Sequence, residues 1–211
     1  MFEYTLAHWL AYFSAAILLN LSPGPDMAFI LGQTAAGGRK AGFSAMLGIW
    51  TGAFMHVVMA AAGLSAILAT SAVAFSTVKW LGAAYLVWLG IEALRSRGTR
   101  LATPDQPRTP IHSRIFWQGT LVAALNPKVA IFFLAFLPQF VVAQAGPVWA
   151  QLFLHGSLII VVAAFIEPPL VLTSARLAEA LKNNRRLGMW LDRGLGALFI
   201  TLGIRLALSE K

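Results

Sequence analysis

The sequence predicts an all-α polytopic membrane protein, with six transmembrane helices as two inverted three-helix repeats whose helices are broken at proline motifs. Three observations lead to this prediction. Hydrophobic residues make up 58% of the 211 residues and charged residues only 11%, whereas a soluble domain is about half apolar and about a quarter charged. Six apolar stretches reach the roughly 20 residues that a helix needs to cross a bilayer. A short proline motif recurs in the two halves.

The candidate spans form one membrane domain over residues 1–211, with halves of about 1–95 and 115–208. A polar linker over 96–114, rich in Arg, Pro and Thr, joins the halves. We expect interruptions in the first span at residues 23–26, in the fourth at LNPK and in the fifth at EPP. The spans run over about 6–35, 41–68, 73–95, 115–141, 148–175 and 188–208.

The basic residues indicate the orientation of the chain. Lys and Arg number 16 against 8 Asp and Glu, and 12 of those 16 lie in or beside the first, third and fifth connections. Because cytoplasmic loops collect Lys and Arg, this pattern predicts that both termini are periplasmic, and it explains the positive charge without nucleic acid as a partner. The alternative is a first segment that re-enters without spanning, which would place the N-terminus inside.

The two halves share a motif in their first spans. LSPGPDMAFIL, residues 21–31, and LNPKVAIFFLA, residues 125–135, align as Leu, a small polar residue, Pro and an apolar run. Three spans per half would give the halves opposite orientations. This is the plan of many secondary transporters, which bind substrate at discontinuous helices near the midplane.

The first motif combines helix breakers with an acid inside an apolar span. Proline lacks an N–H and clashes with the preceding turn, so the helix should break here. The freed backbone groups need partners or a wet cavity, and a half-helix N-terminus suits an anion such as a carboxylate. A purely structural interpretation is a packing kink with an acidic helix cap. Because intramembrane charges are costly and usually functional, we favour a site made by Asn20, Ser22, Pro23, Gly24, Pro25 and Asp26.

The second motif adds Asn126, Pro127 and Lys128 as candidate site residues. Lys128 either snorkels to an interface or joins the site, where it would complement Asp26. Glu167 before two prolines is either a third gating or proton-linked group or a residue near the membrane surface.

His56 follows Ser44, Gly48 and Gly52 at four-residue spacing, on a face where helices can approach closely. We expect it to be a hydrogen-bonded structural histidine, with coupling as the alternative. The same face could serve within one chain or between the two chains of a homodimer.

The sequence resembles the LysE/RhtB family of bacterial amino-acid exporters. The resemblance is carried by the Pro-Gly-Pro turn at 23–25, by Gly38-Arg39-Lys40-Ala41-Gly42, and by the glycines of the second span. The stretches WLGAAYLVWLGIEALRS, LNPKVAIFFLAFLPQFV and LDRGLGALFITLGIRLAL match later spans of the family. The resemblance implies a multi-pass protein of the bacterial inner membrane that exports amino acids or close derivatives, by exchange with protons. The EPP of the fifth span has no counterpart in the family pattern.

Two other functions, metal export and intramembrane catalysis, fit the sequence less well than amino-acid export. A divalent-metal exporter of the same superfamily would need more intramembrane carboxylates. An intramembrane enzyme would need a catalytic pairing, but the four histidines are scattered without metal-ligand spacing and no Gly-x-Ser-x-Gly elbow is present. No Walker-type phosphate loop is present either. We therefore expect no ATP coupling, no metal and no cofactor.

Overall fold

A computed structural model describes residues 4–21, 24–64, 72–95, 111–142 and 144–183, together with individual positions between 190 and 208. All regular structure in these described parts is helical. The helices are α1 (Leu6–Leu21), α2 (Pro25–Met59, continued by a π-helical turn, Ala60–Leu64), α3 (Ala72–Arg95), α4 (His112–Ala124), α5 (Pro127–Phe136, continued by a 3-10 turn, Leu137–Phe140) and α6 (Val148–Asn183).

Two of the described helices are long and apolar enough to cross a membrane, by length and composition. They are the segments Pro25–Gly63 and Val148–Thr173, and Leu6–Leu21 is a shorter apolar helix. The helical class and the membrane character are confirmed. The count of six spans and the inverted repeat stay predictions, and most of the 96–114 linker lies outside the described residues.

Helix α2 turns sharply at Gly38, whose φ of 74° and ψ of −173° are not helical. Glycine adopts a positive φ at little cost. In a straight helix, eight residues would separate Thr34 from Gly42 by about 12 Å. Here the two positions are in contact instead, because a Cβ added to Gly42 would meet the Thr34 hydroxyl. Helix α2 is therefore two arms folded at Gly38. Arg39 and Lys40 are exposed just beyond the turn, where the sequence predicts the first basic connection.

The second arm of α2 packs closely along α4. A Cβ at Gly48 would meet the carbonyl oxygen of Phe116, and a Cβ at Gly52 would lie 2.7 Å from the Cβ of Ala123. On the other side of the contact, Gly119 faces the carbonyl oxygen of Ala45. The small-residue face that the sequence indicates is thus used within the chain, and a homodimer finds no support in it.

Helix α6 differs from the expectation, because it continues through Pro168 and Pro169 without a break. A proline inside a helix removes one backbone hydrogen bond and costs about 3 kcal/mol in water, but packed membrane helices tolerate it because neighbouring groups compensate. Here the two prolines leave the carbonyls of Ala164 and Phe165 without their helical donors, and the adjacent Glu167 ties this part of α6 to α2 through Trp50. The predicted interruption at EPP is therefore wrong.

Two apolar clusters form the interior. The first joins α1, α5 and α6 around Tyr12, Phe132 and Phe136. The second joins α2, α4 and α6 in a group of buried residues that includes Ile30 and Ile49. Residues of both clusters, including Ile49 and Ile159, line one cavity. The fold thus leaves this cavity between two well-packed regions.

Candidate functional site

The first break separates α1 from α2. Helix α1 ends at Leu21, Gly24 is extended with φ −153°, and Pro25 is the first residue of α2. Proline suits this position because the first N–H of a helix has no partner within the helix. The N-cap residue Gly24 makes no side-chain cap, and Asp26 lies in the first turn, where a negative charge interacts favourably with the helix dipole. Ser22 and Pro23 lie outside the described residues.

The second break has the same construction. Helix α4 ends at Ala124 and α5 begins at Pro127, and the N–H of Ala130 donates to the carbonyl of Asn126 at 3.1 Å. The structural equivalent of Pro127 is therefore Pro25, not Pro23 as the sequence alignment suggests. The side chains of Pro127 and Lys128 lie outside the described part of the chain, so a pairing of Lys128 with Asp26 stays a prediction.

The two breaks meet, as the sequence predicts. The side-chain amide of Asn126 donates to Oδ1 of Asp26 at 3.1 Å, across 100 residues of sequence. Gly24, Pro25, Asp26 and Asn126 all line the same cavity, which has a volume of about 80 Å³. The N-termini of α2 and α5 thus point toward one space, and helix N-termini attract anions.

Asn20 supplies a further polar group to the cavity. Its side-chain amide donates to the carbonyl of Ala16 at 2.8 Å and lies 3.5 Å from the carbonyl of Ile159 on α6. Asn20 therefore connects the end of α1 to α6 beside the break. The Asn20 Oδ1 atom is a possible acceptor for a bound solute.

Glu167 lies in the same cavity rather than at the end of its helix. Its side chain is 8% exposed, and its Oε2 accepts a hydrogen bond of 2.6 Å from the indole N–H of Trp50. Asp26 lines the same cavity. The structure thus brings two carboxylates, one from each half of the chain, to one space.

Trp50 is a residue that sequence reasoning missed. Tryptophans favour the membrane interface, so the sequence predicts them near the ends of spans. Trp50 lies ten residues inside the predicted second span instead. An indole N–H that is buried usually has a hydrogen-bond partner, so this position is the signal that could have pointed to an internal acceptor.

His56 lies at the packing face and does not line the cavity. It is 5% exposed, and its Nε2 is 3.1 Å from the carbonyl oxygen of Ala123 on α4. That geometry makes it a donor between two helices, as expected for a hydrogen-bonded structural histidine. Among the described residues, no group of three or more His, Cys, Asp and Glu side chains could hold a metal ion.

The remaining cavity wall is apolar and includes Ile49, Ala53, Phe133, Ile159 and Ala163. A space with carboxylates and helix N-termini on one side and aliphatic or aromatic groups on the other suits a small solute with a charged end. Broken helices, intramembrane carboxylates and such a cavity define a membrane transport protein.

Comparison with known proteins identifies its family. The model of the LysE type translocator family matches residues 17–210, so the chain belongs to that family. It is a membrane transporter and not an enzyme. The homoserine/homoserine lactone efflux proteins of Salmonella typhi and Salmonella typhimurium are each 32% identical to it over 203 residues, which cover 96% of this chain and 97% of each relative. An uncharacterized membrane protein of Vibrio cholerae is 28% identical over 202 residues, covering 96% of this chain and 97% of that protein. No solved structure matches the chain.

Proposed function

We propose that this protein is a secondary transporter that exports amino acids or close derivatives across the bacterial inner membrane in exchange for protons. The observation that carries the proposal is the meeting of the two helix breaks and two carboxylates in one cavity. The relatives named for homoserine and homoserine lactone efflux indicate the substrate class, small polar amines.

The geometry suggests how an amino acid would bind. Its carboxylate would meet the N-terminus of α2, and its ammonium group would meet the carboxylates of Asp26 and Glu167. The apolar wall would receive the side chain. Asn126 ties the two breaks together through Asp26, so a substrate bound there contacts both halves and can respond to their relative movement.

The orientation is part of the proposal. Arg39 and Lys40 at the Gly38 turn, and the Arg-rich residues of the 96–114 segment, suit a cytoplasmic location, with both termini in the periplasm. Reporter fusions after residue 105 and at the C-terminus measure this. A periplasmic reporter at 105, or a cytoplasmic one at the C-terminus, would contradict the orientation.

Transport assays test the function itself. Purified protein in proteoliposomes should release loaded homoserine, its lactone or other small amino acids faster than empty liposomes, and a proton gradient should drive the movement uphill. A panel should include divalent cations, because two carboxylates in one cavity also suit a metal ion. Transport of cations without any amino acid would overturn the proposal in favour of metal export.

A further inference from the structure

Glu167 is a buried acid with a neutral partner. Its carboxylate accepts a hydrogen bond from the indole of Trp50, which carries no charge. The groups that face it across the cavity are Asp26 of α2, Asn20 of α1 and Asn126 before α5. No basic side chain is among the described residues that line the cavity, and the side chain of Lys128 lies outside them.

This environment disfavours an isolated anion. An ionised carboxylate away from water is costly unless it is paired, and one neutral donor compensates only part of that cost. Asp26 lines the same cavity, and two like charges in one small space repel each other. The stable states of Glu167 are therefore two: protonated, or ionised beside a cation.

We propose that Glu167 carries the proton that is exchanged, and that the ammonium group of the substrate displaces it, with Trp50 as the positioning residue of the carboxylate. This rests on the proposed export of amines. When the ammonium group enters from the cytoplasm, one proton leaves the carboxyl group for cytoplasmic water. When the substrate leaves on the other side, one periplasmic proton returns to the carboxylate.

The net charge that crosses the membrane in each exchange depends on the charge of the substrate. A cationic amine without a carboxylate, such as an amino-acid ester, replaces one proton by one positive charge, so its exchange is electrically neutral. A zwitterionic amino acid has no net charge, so its exchange moves one positive charge inward. A membrane potential should therefore drive export of the amino acid and leave export of its ester unaffected.

The first experiment uses Glu167→Gln in inside-out vesicles. Gln has nearly the same shape and keeps an oxygen for the Trp50 N–H, but it cannot release a proton. With a one-unit pH gradient and the membrane potential held at zero, one-for-one exchange of the zwitterionic amino acid supports an accumulation ratio of about tenfold, and this ratio should fall to about one in the variant. Downhill transport should become slower, because the variant lacks one of the two carboxylates that meet the ammonium group, and the transport that remains should lose its pH dependence. Retained uphill accumulation, or a pH dependence unchanged from that of the parent, overturns the proposal.

The second experiment uses Trp50→Phe, which keeps an aromatic ring but removes the donor. Loss of a hydrogen bond to the ionised carboxylate should move the midpoint of the pH dependence of export upward by about one unit. Trp149→Phe is the matched control, because Trp149 is 58% exposed on the first turn of α6. An unchanged midpoint in Trp50→Phe, or an equal shift in the control, contradicts the role of Trp50.

The export function and the role of Glu167 as the proton carrier can be tested separately. If the unmodified protein moves no amino acid in either direction, the proposed function is wrong. If it exports amino acids uphill and Glu167→Gln does so equally well, the export function stands and the assignment of the proton to Glu167 is wrong. The amino-acid and ester arms, measured with and without a membrane potential, test the stoichiometry independently of any substitution.

Discussion

Helix α2 packs one face against α4 and lines the cavity with another. On the packing face, Gly48 and Gly52 bring the backbones of two helices into contact. On the cavity face, the adjacent residues Ile49, Trp50 and Ala53 carry side chains around an open space. The comparison shows how a membrane helix can hold a rigid contact and a binding surface at neighbouring positions, because the first fixes the position of the second.

The largest expected effect is a failure of folding from a change on the packing face. Gly48→Leu places a side chain where the Phe116 carbonyl lies, so it should lower the free energy of unfolding by about 3 kcal/mol or more. Size-exclusion chromatography and thermal unfolding in detergent measure this. Thr51→Leu is the control, since Thr51 is exposed on the same helix. Equal stability of the two variants would show that the α2–α4 contact is not the rigid part of the molecule.

A change in the cavity should remove transport and leave the fold intact. Asp26→Asn keeps the shape and an oxygen for the Asn126 amide, but it removes the charge that meets the ammonium group. We expect proton-driven export to be abolished while insertion and stability in detergent stay as in the parent. Asp26→Glu should retain some activity. Parental export with an unchanged pH dependence in Asp26→Asn would make Asp26 only a helix cap.

The smallest effect is expected at a titratable residue on the packing face. His56→Gln preserves a donor toward the Ala123 carbonyl, so the unfolding free energy should fall by only about 1 kcal/mol. The pH dependence of export should be unchanged, because His56 does not line the cavity. A shifted pH profile would show that His56 takes part in the transport mechanism although it lies on the packing face. The two faces would then not have separate roles.

The prolines show how far the sequence predicts this fold. Pro25 and Pro127 begin helices, whereas Pro168 and Pro169 lie inside one, although all were expected to mark interruptions. The two real breaks have a Gly or Asn just before the helix-starting proline, and both residue types favour turns and helix ends. Glu167 precedes the other pair and stays helical. Proline alone therefore indicates strain, and its neighbours and contacts decide whether the helix ends.

The candidate site could be predicted in part. The break with Asp26 and its meeting with Asn126 follow from motifs that both halves share. The contact between Trp50 and Glu167 joins residues 117 positions apart, and no local pattern encodes it. It depends on how α6 lies against α2, which is a property of packing. For the same reason, the sequence left the location of Glu167 open.

The turn at Gly38 has a consequence for biosynthesis. Helix α1 is about 24 Å long and the arm over 25–37 about 20 Å, both shorter than a bilayer core of about 30 Å. These two pieces must therefore enter the membrane together, with the break between them. Asn126, which binds Asp26 in the finished protein, is synthesised 100 residues later. During translation the break therefore forms before the residue that donates to Asp26 has been synthesised.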